Sequence, residues 1–132
     1  MEALEITKKL IKFPSHEDNP EGIKKCINFC EEYFSKNNIN YKKYKCGLDG
    51  EVEDKKVSLV ASPVEDPKVF LCGHLDVVDG DGGQFNPREE NDILYGRGAL
   101  DMKGAIAIYL SLMKEFSIKE EKPKLGLILT SD

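Results

Sequence analysis

The stretch Cys72–Lys103, CGHLDVVDGDGGQFNPREENDILYGRGALDMK, decides how the chain reads. The apolar run Val69-Phe70-Leu71-Cys72 leads into it and predicts a buried strand. An amphipathic helix begins where it ends. His74, Asp76 and Asp101 therefore sit at element ends, where α/β folds place their chemistry. His74 and Asp76 are two residues apart, so in extended chain both side chains leave one face. A metal-bound imidazole usually donates its other N–H to a carboxylate, which fixes the tautomer. Asp101 is a hard oxygen donor able to reach one divalent ion or bridge two. Taken alone, the triplet reads better as a surface histidine beside a solvated or capping aspartate. Asp101 alone reads as an N-cap near the positive end of the following helix.

Upstream, Ala3, Ile6, Leu10 and Phe13 recur at helical spacing, and Phe13-Pro14-Ser15 ends that helix because proline disfavours helical geometry in the residue before it. Asn19 is a fair N-cap with Pro20 at the first helical position. A second helix follows with an apolar stripe through Ile23, Cys26, Ile27, Cys30, Tyr33 and Phe34. His16, in the loop between the helices, reads as an exposed loop histidine. Ile39 to Lys45 alternates as an edge strand, Cys46 to Gly50 is a turn region and Glu51 to Lys56 a charged connection.

Val57 to Ala61 and Lys68 to Gly73 are strands, the latter expected to be buried on both faces as in a parallel sheet covered by helices above and below. Asp79 to Gly83 lacks the spacing and closing Glu of a calcium loop and reads as a flexible rim. Ile93 to Tyr95 is a short strand, and Gly96-Arg97-Gly98 a tight backbone path without the third glycine of a dinucleotide site. A third helix carries Ala105, Ile106, Tyr109, Leu112, Met113 and Phe116, and Leu125 to Thr130 is a final buried strand. This strand and Lys68–Gly73 are expected to run parallel, as neighbours or one strand apart, because the connection between them contains a helix.

Composition sets the outer bounds. The 132 residues amount to at most one domain, and 40% hydrophobic with 33% charged residues is ordinary for a globular chain. A net charge of −5 and the lack of a basic patch speak against nucleic acid as a partner. No apolar run approaches the roughly 20 residues that span a bilayer, and the N-terminus has no signal-peptide core, so no membrane partner and a cytoplasmic location are expected. The four cysteines form no Cys-x-x-Cys pair and read as reduced core residues.

GHLDVV, followed by LYGRGALDMKGAIA and closing on LGLILTSD, resembles the M20 family of metal-dependent peptidases and deacylases. The family includes acetylornithine deacetylase, succinyl-diaminopimelate desuccinylase, aminoacylase and several peptidases. The resemblance implies an α/β fold with a mixed, mainly parallel sheet flanked by helices, and identifies residues 1–132 with the N-terminal portion of a catalytic domain, without the lid or dimerisation domain. By the same resemblance His74 and Asp101 are metal ligands, Asp101 bridging two ions. Asp76, counted as catalytic, is the carboxylate that stands behind His74, and a cis peptide follows Asp101. Zn²⁺ is the usual ion, two per complete site, with Co²⁺ or Mn²⁺ as substitutes. The implied substrates are small N-acyl amino acids or peptides, and a homodimer belongs only to a full-length form. The family's Glu-Glu pair would directly follow Asp132, with a later acidic and a later histidine ligand beyond it. Within the chain Asp79 stands where proline is common, Phe85 where tryptophan is common, and Pro87-Arg88 where Pro-Phe is common. Three readings stay open: part of a di-metal amide hydrolase, a split fragment that works only with a partner chain supplying the missing ligands, or a truncated product without activity or a mere binding module.

Overall fold

The computed structural model describes residues 2–45 and 56–131. The turn expected at Cys46–Gly50, residues 51–55 of the charged connection from Glu51 to Lys56, and Met1 and Asp132 lie outside the described residues.

Helix α1 (Glu2–Ile11) buries Ile6, Leu10 and Ile11, and stops ahead of Phe13-Pro14 as the proline requires. Helix α2 (Pro20–Lys36) starts at Asn19, whose Oδ1 accepts from the Gly22 N–H at 2.9 Å. Its stripe of Ile23, Cys26, Ile27, Cys30 and Phe34 is fully buried or nearly so. A four-stranded sheet has the order β1-β2-β6-β3, from β1 (Asn40–Lys45), β2 (Val57–Ser62), β3 (Val69–His74) and β6 (Leu125–Thr130). A hairpin of β4 (Arg88–Glu90) and β5 (Ile93–Tyr95) turns on Asn91 and Asp92, whose φ values of 50° and 61° are left-handed. Helix α3 (Gly104–Ser117) buries Ile106, Ala107, Leu110 and Met113.

The sheet is mixed, but its parallel part is confined to β3–β6, whereas β1–β2 and β2–β6 are antiparallel. The mainly parallel centre expected from the resemblance is thus corrected: β2 inserts beside β6 in the opposite direction. The β3–β6 register pairs Val69 with Leu125 and His74 with Thr130. Val57, Leu59, Ala61, Leu127 and Leu129 share one face and join all three helices in a single core.

The opposite face stays half-open among the described residues. There Phe70 is 39% exposed and Cys72 is exposed, and on the core side the strand's first residue, Val69, is 60% exposed, so the expectation that this strand is buried on both faces is also corrected. Among the described residues the strand lies at the sheet edge, where Phe70 lies over the Gly126 backbone. No described helix is long and apolar enough to cross a membrane.

Candidate metal centre

The parallel register ends β3 on His74, and the chain leaves the sheet at that point. Buried Leu75 points into the core, so His74 and Asp76 on either side of it both face a cleft. The peptide between Asp101 and Met102 is cis, and Asp101 itself is extended at φ −126°, ψ 97°. The Asp101 carboxylate faces His74, with Oδ1 3.1 Å from Nε2. Helix α3 has no side-chain cap hydrogen bond, so Asp101 does not serve as its N-cap. The carboxylate is 84% exposed and its remaining lone pairs face the cleft.

The other ring nitrogen decides what His74 can do. Nδ1 lies 3.0 Å from the backbone oxygen of Asp76, which can only accept, so Nδ1 carries the proton. The Asp76 carboxylate stands further off, 3.8 Å from Nδ1. In the neutral ring Nε2 is then an acceptor facing a carboxylate acceptor. Two acceptors at 3.1 Å need a positive centre between or upon them, either a proton or a metal ion. Ligand arms of about 2.0–2.1 Å at a tetrahedral angle set donors about 3.3 Å apart, close to the spacing found. The donor set fits a zinc-type ion in chemistry and spacing. It is a partial set: no group of three or more His, Cys, Asp or Glu side chains among the described residues could hold a metal.

Further residues surround this pair and meet the segments that carry it. Lys103 is fully buried, and its Nζ donates to the Phe13 carbonyl at 2.7 Å. Burial pushes its ammonium down to about 8, against the opposing pull of Cys26, Asp76 and Cys30. Ser15 is also fully buried, with its hydroxyl donating to the Leu75 carbonyl at 2.7 Å. The His74 N–H donates to Met102 Sδ at 3.4 Å. Gly98 sits at φ +80°, and a side chain there would meet Val77 and Lys103. Arg97 clamps the 79–86 rim by donating from its backbone N–H to the Gln84 carbonyl and from Nη2 to Gln84 Oε1, both at 2.7 Å. Arg88 lines the same cleft, stacked on Tyr95 and paired with Glu90.

His16 corrects an expectation. It is not an exposed loop residue: its side chain is 14% exposed and its Nδ1 is buried without a hydrogen-bond partner. Nε2 lies 3.3 Å from Asp79 Oδ1, and the ring stacks on Phe85 with centroids 6.2 Å apart. Two of the three departures from the family pattern, Asp79 and Phe85, thus meet on one histidine.

Residues 70–132 match the peptidase family M20/M25/M40. The match covers just under half of the chain and is to the family that the motifs resemble. It is 36% identical to the succinyl-diaminopimelate desuccinylase of Helicobacter pylori (strain HPAG1), an alignment covering 100% of this chain and 37% of that protein. Human carnosine dipeptidase 1 superposes with a TM-score of 0.79 at 19% identity, covering 98% of this chain and 32% of that one. An M20 family metallo-carboxypeptidase from Sulfolobus solfataricus superposes with a TM-score of 0.71 at 24% identity, over 98% of this chain and 30% of that one. The chain spans about a third of the length of the relatives it matches. These two structural likenesses carry the fold: a mixed sheet flanked by helices, as the sequence implied.

Proposed function

We propose that these residues form part of the active site of a metal-dependent amide hydrolase acting on N-acyl amino acids or small peptides. The observation that carries it is the His74 Nε2–Asp101 Oδ1 pair, 3.1 Å apart, with Nδ1 already committed to the Asp76 carbonyl. His74 and Asp101 would be ligands, Asp101 shared between two ions, with Zn²⁺ the expected metal. Asp76 holds the ring in the tautomer that leaves Nε2 free, through its backbone oxygen and with its carboxylate behind. When bound, the ions would polarise the amide carbonyl and lower the pKa of a water. Buried thiols at Cys26 and Cys30 suit a reducing, cytoplasmic setting.

Two ligands fall short of the three protein ligands typical of a catalytic zinc site. The remaining ligands and the general base are proposed to come from outside these 132 residues, in the same polypeptide or in a second one. The 132-residue chain alone is therefore expected to show no enzymatic turnover. The test is to load the full chain, meaning these 132 residues joined to or paired with the polypeptide that supplies the remaining ligands, with Zn²⁺ or Co²⁺ and assay N-succinyl and N-acetyl amino acids and dipeptides. Metal-dependent hydrolysis that disappears in His74→Ala and Asp101→Ala is expected. Metal binding unaffected by both substitutions would refute the ligand assignment. Turnover by the 132-residue monomer would refute the partial-site assignment.

A further inference from the structure

The two proposed ligands lie on segments far apart in sequence, which touch where the His74 backbone N–H donates to Met102 Sδ. His74 ends an edge strand, and Asp101 precedes α3 by three residues. Both segments nevertheless attach to the same three residues, Phe13–Ser15, between α1 and α2. Ser15 grips the first segment twice. Its hydroxyl donates to the Leu75 carbonyl at 2.7 Å, and its own carbonyl accepts from the Val77 N–H at 2.9 Å. Phe13 takes the second: its carbonyl accepts from Lys103 Nζ at 2.7 Å, while the Lys103 N–H donates to the Gly98 carbonyl at 2.8 Å. Each grip falls within three residues of a ligand. The bracket is backed by α2, because a Cβ at Gly22 would collide with the Pro14 carbonyl. Ser15 and Lys103 are both fully buried, and their polar atoms meet these backbone groups rather than solvent.

We propose that Ser15 and Lys103 are positioning residues, which lock the His74–Val77 and Gly98–Lys103 segments to the Phe13–Ser15 bracket at the separation a metal ion requires. The proposal rests on His74 and Asp101 being ligands. Neither positioning residue touches the ion or the substrate. A hydroxyl kept only for core stability would behave differently. Thr7 provides that comparison: it is buried in α1, and its hydroxyl donates to the Ala3 carbonyl of its own helix at 2.7 Å.

The experiment titrates the full chain with Co²⁺, following the visible absorption band, and records thermal melts of the same samples without metal. Ser15→Ala and Lys103→Met are each expected to weaken Co²⁺ binding by about 10- to 100-fold and to change the band, the range seen when outer partners of a metal site are removed. Thr7→Val is expected to lower the melting temperature and leave affinity and band as they were. His74→Ala is expected to abolish the band. If Ser15→Ala does not fold, Lys103→Met, which keeps the buried volume, decides alone. Wild-type affinity in both positioning variants, with the band still lost in His74→Ala, overturns the bracket and leaves the ligands standing. An equal loss of affinity in Thr7→Val also overturns it, by reducing it to general stability. A band that survives His74→Ala overturns the ligand assignment and the bracket together.

Discussion

Replacing Gly98 by alanine is the sharpest probe of how tightly the second segment is built. Gly98 stands at φ +80°, and an added Cβ would lie 2.7 Å from Val77 Cγ1 and 3.0 Å from Lys103 Cδ. The left-handed backbone costs an L-residue about 1–2 kcal/mol. Inserting a methyl into a packed site adds about 1–3 kcal/mol. The two together predict a loss of about 2–5 kcal/mol, a large part of the 5–15 kcal/mol typical of a domain. Gly82 supplies the contrast, since a Cβ there meets nothing within 4 Å and its φ is not left-handed. Gly82→Ala is expected to be neutral or to stabilise by up to about 1 kcal/mol through the unfolded chain. Urea unfolding of the full chain, followed by circular dichroism, measures both. Because the obstructing atoms belong to Val77 and Lys103, relief of the clash must disturb the bracket, so Co²⁺ affinity should fall in Gly98→Ala as well. A stability change below about 0.5 kcal/mol, the range of an ordinary surface substitution, would refute the reasoning.

Phe34 is fully buried and Phe70 is 39% exposed, so Phe34→Ala should destabilise by about 3–5 kcal/mol and Phe70→Ala by less than half as much, read from the same unfolding curves. Burial pushes the Cys26 thiol up to about 11, and Cys30 is also raised by burial, so at pH 8 a thiol reagent should label exposed Cys72 and spare both until urea unfolds the protein. The Lys114 hydrogen bond holds the Glu2 carboxyl below the usual carboxylate range. Its contribution is present above that ordinary range and lost as pH falls through the lowered value. Because the pair is exposed, Lys114→Ala should cost well under about 1 kcal/mol at pH 7 and less still at pH 3.

The elements with regular patterns were legible from the residues. Leu125–Thr130 and Ile93–Tyr95 appear as expected, and Asn19-Pro20 starts α2 because its cap chemistry is local. Strand β4 was not seen: Arg88-Glu89-Glu90 has no apolar alternation, and pairing with Ile93–Tyr95 across the Asn91-Asp92 turn makes it a strand. The exposure of Val69 and Phe70 could not be foreseen either, since an apolar run does not say whether a helix covers it. His74 and Asp101 stood out through their motifs, and the structure brings them together. Ser15, Lys103 and the seat of His16 did not. A buried lysine or serine takes its partner from residues 60 to 90 positions away, and local sequence carries no trace of that pairing.

The parallel alignment of β3 and β6 governs which changes of length the chain can absorb. Residues 118–124 enter β6 beside Val69, at the end of the sheet away from His74. Added or lost residues there leave the His74–Thr130 pairing where it is. One residue removed inside Leu125–Thr130 would instead turn Leu127 and Leu129 out of the core and draw Thr130 back from His74. Lineages carrying this fold should therefore vary freely in that connection and hold β6 to a fixed count, with its last residues gauged against the histidine on the neighbouring strand.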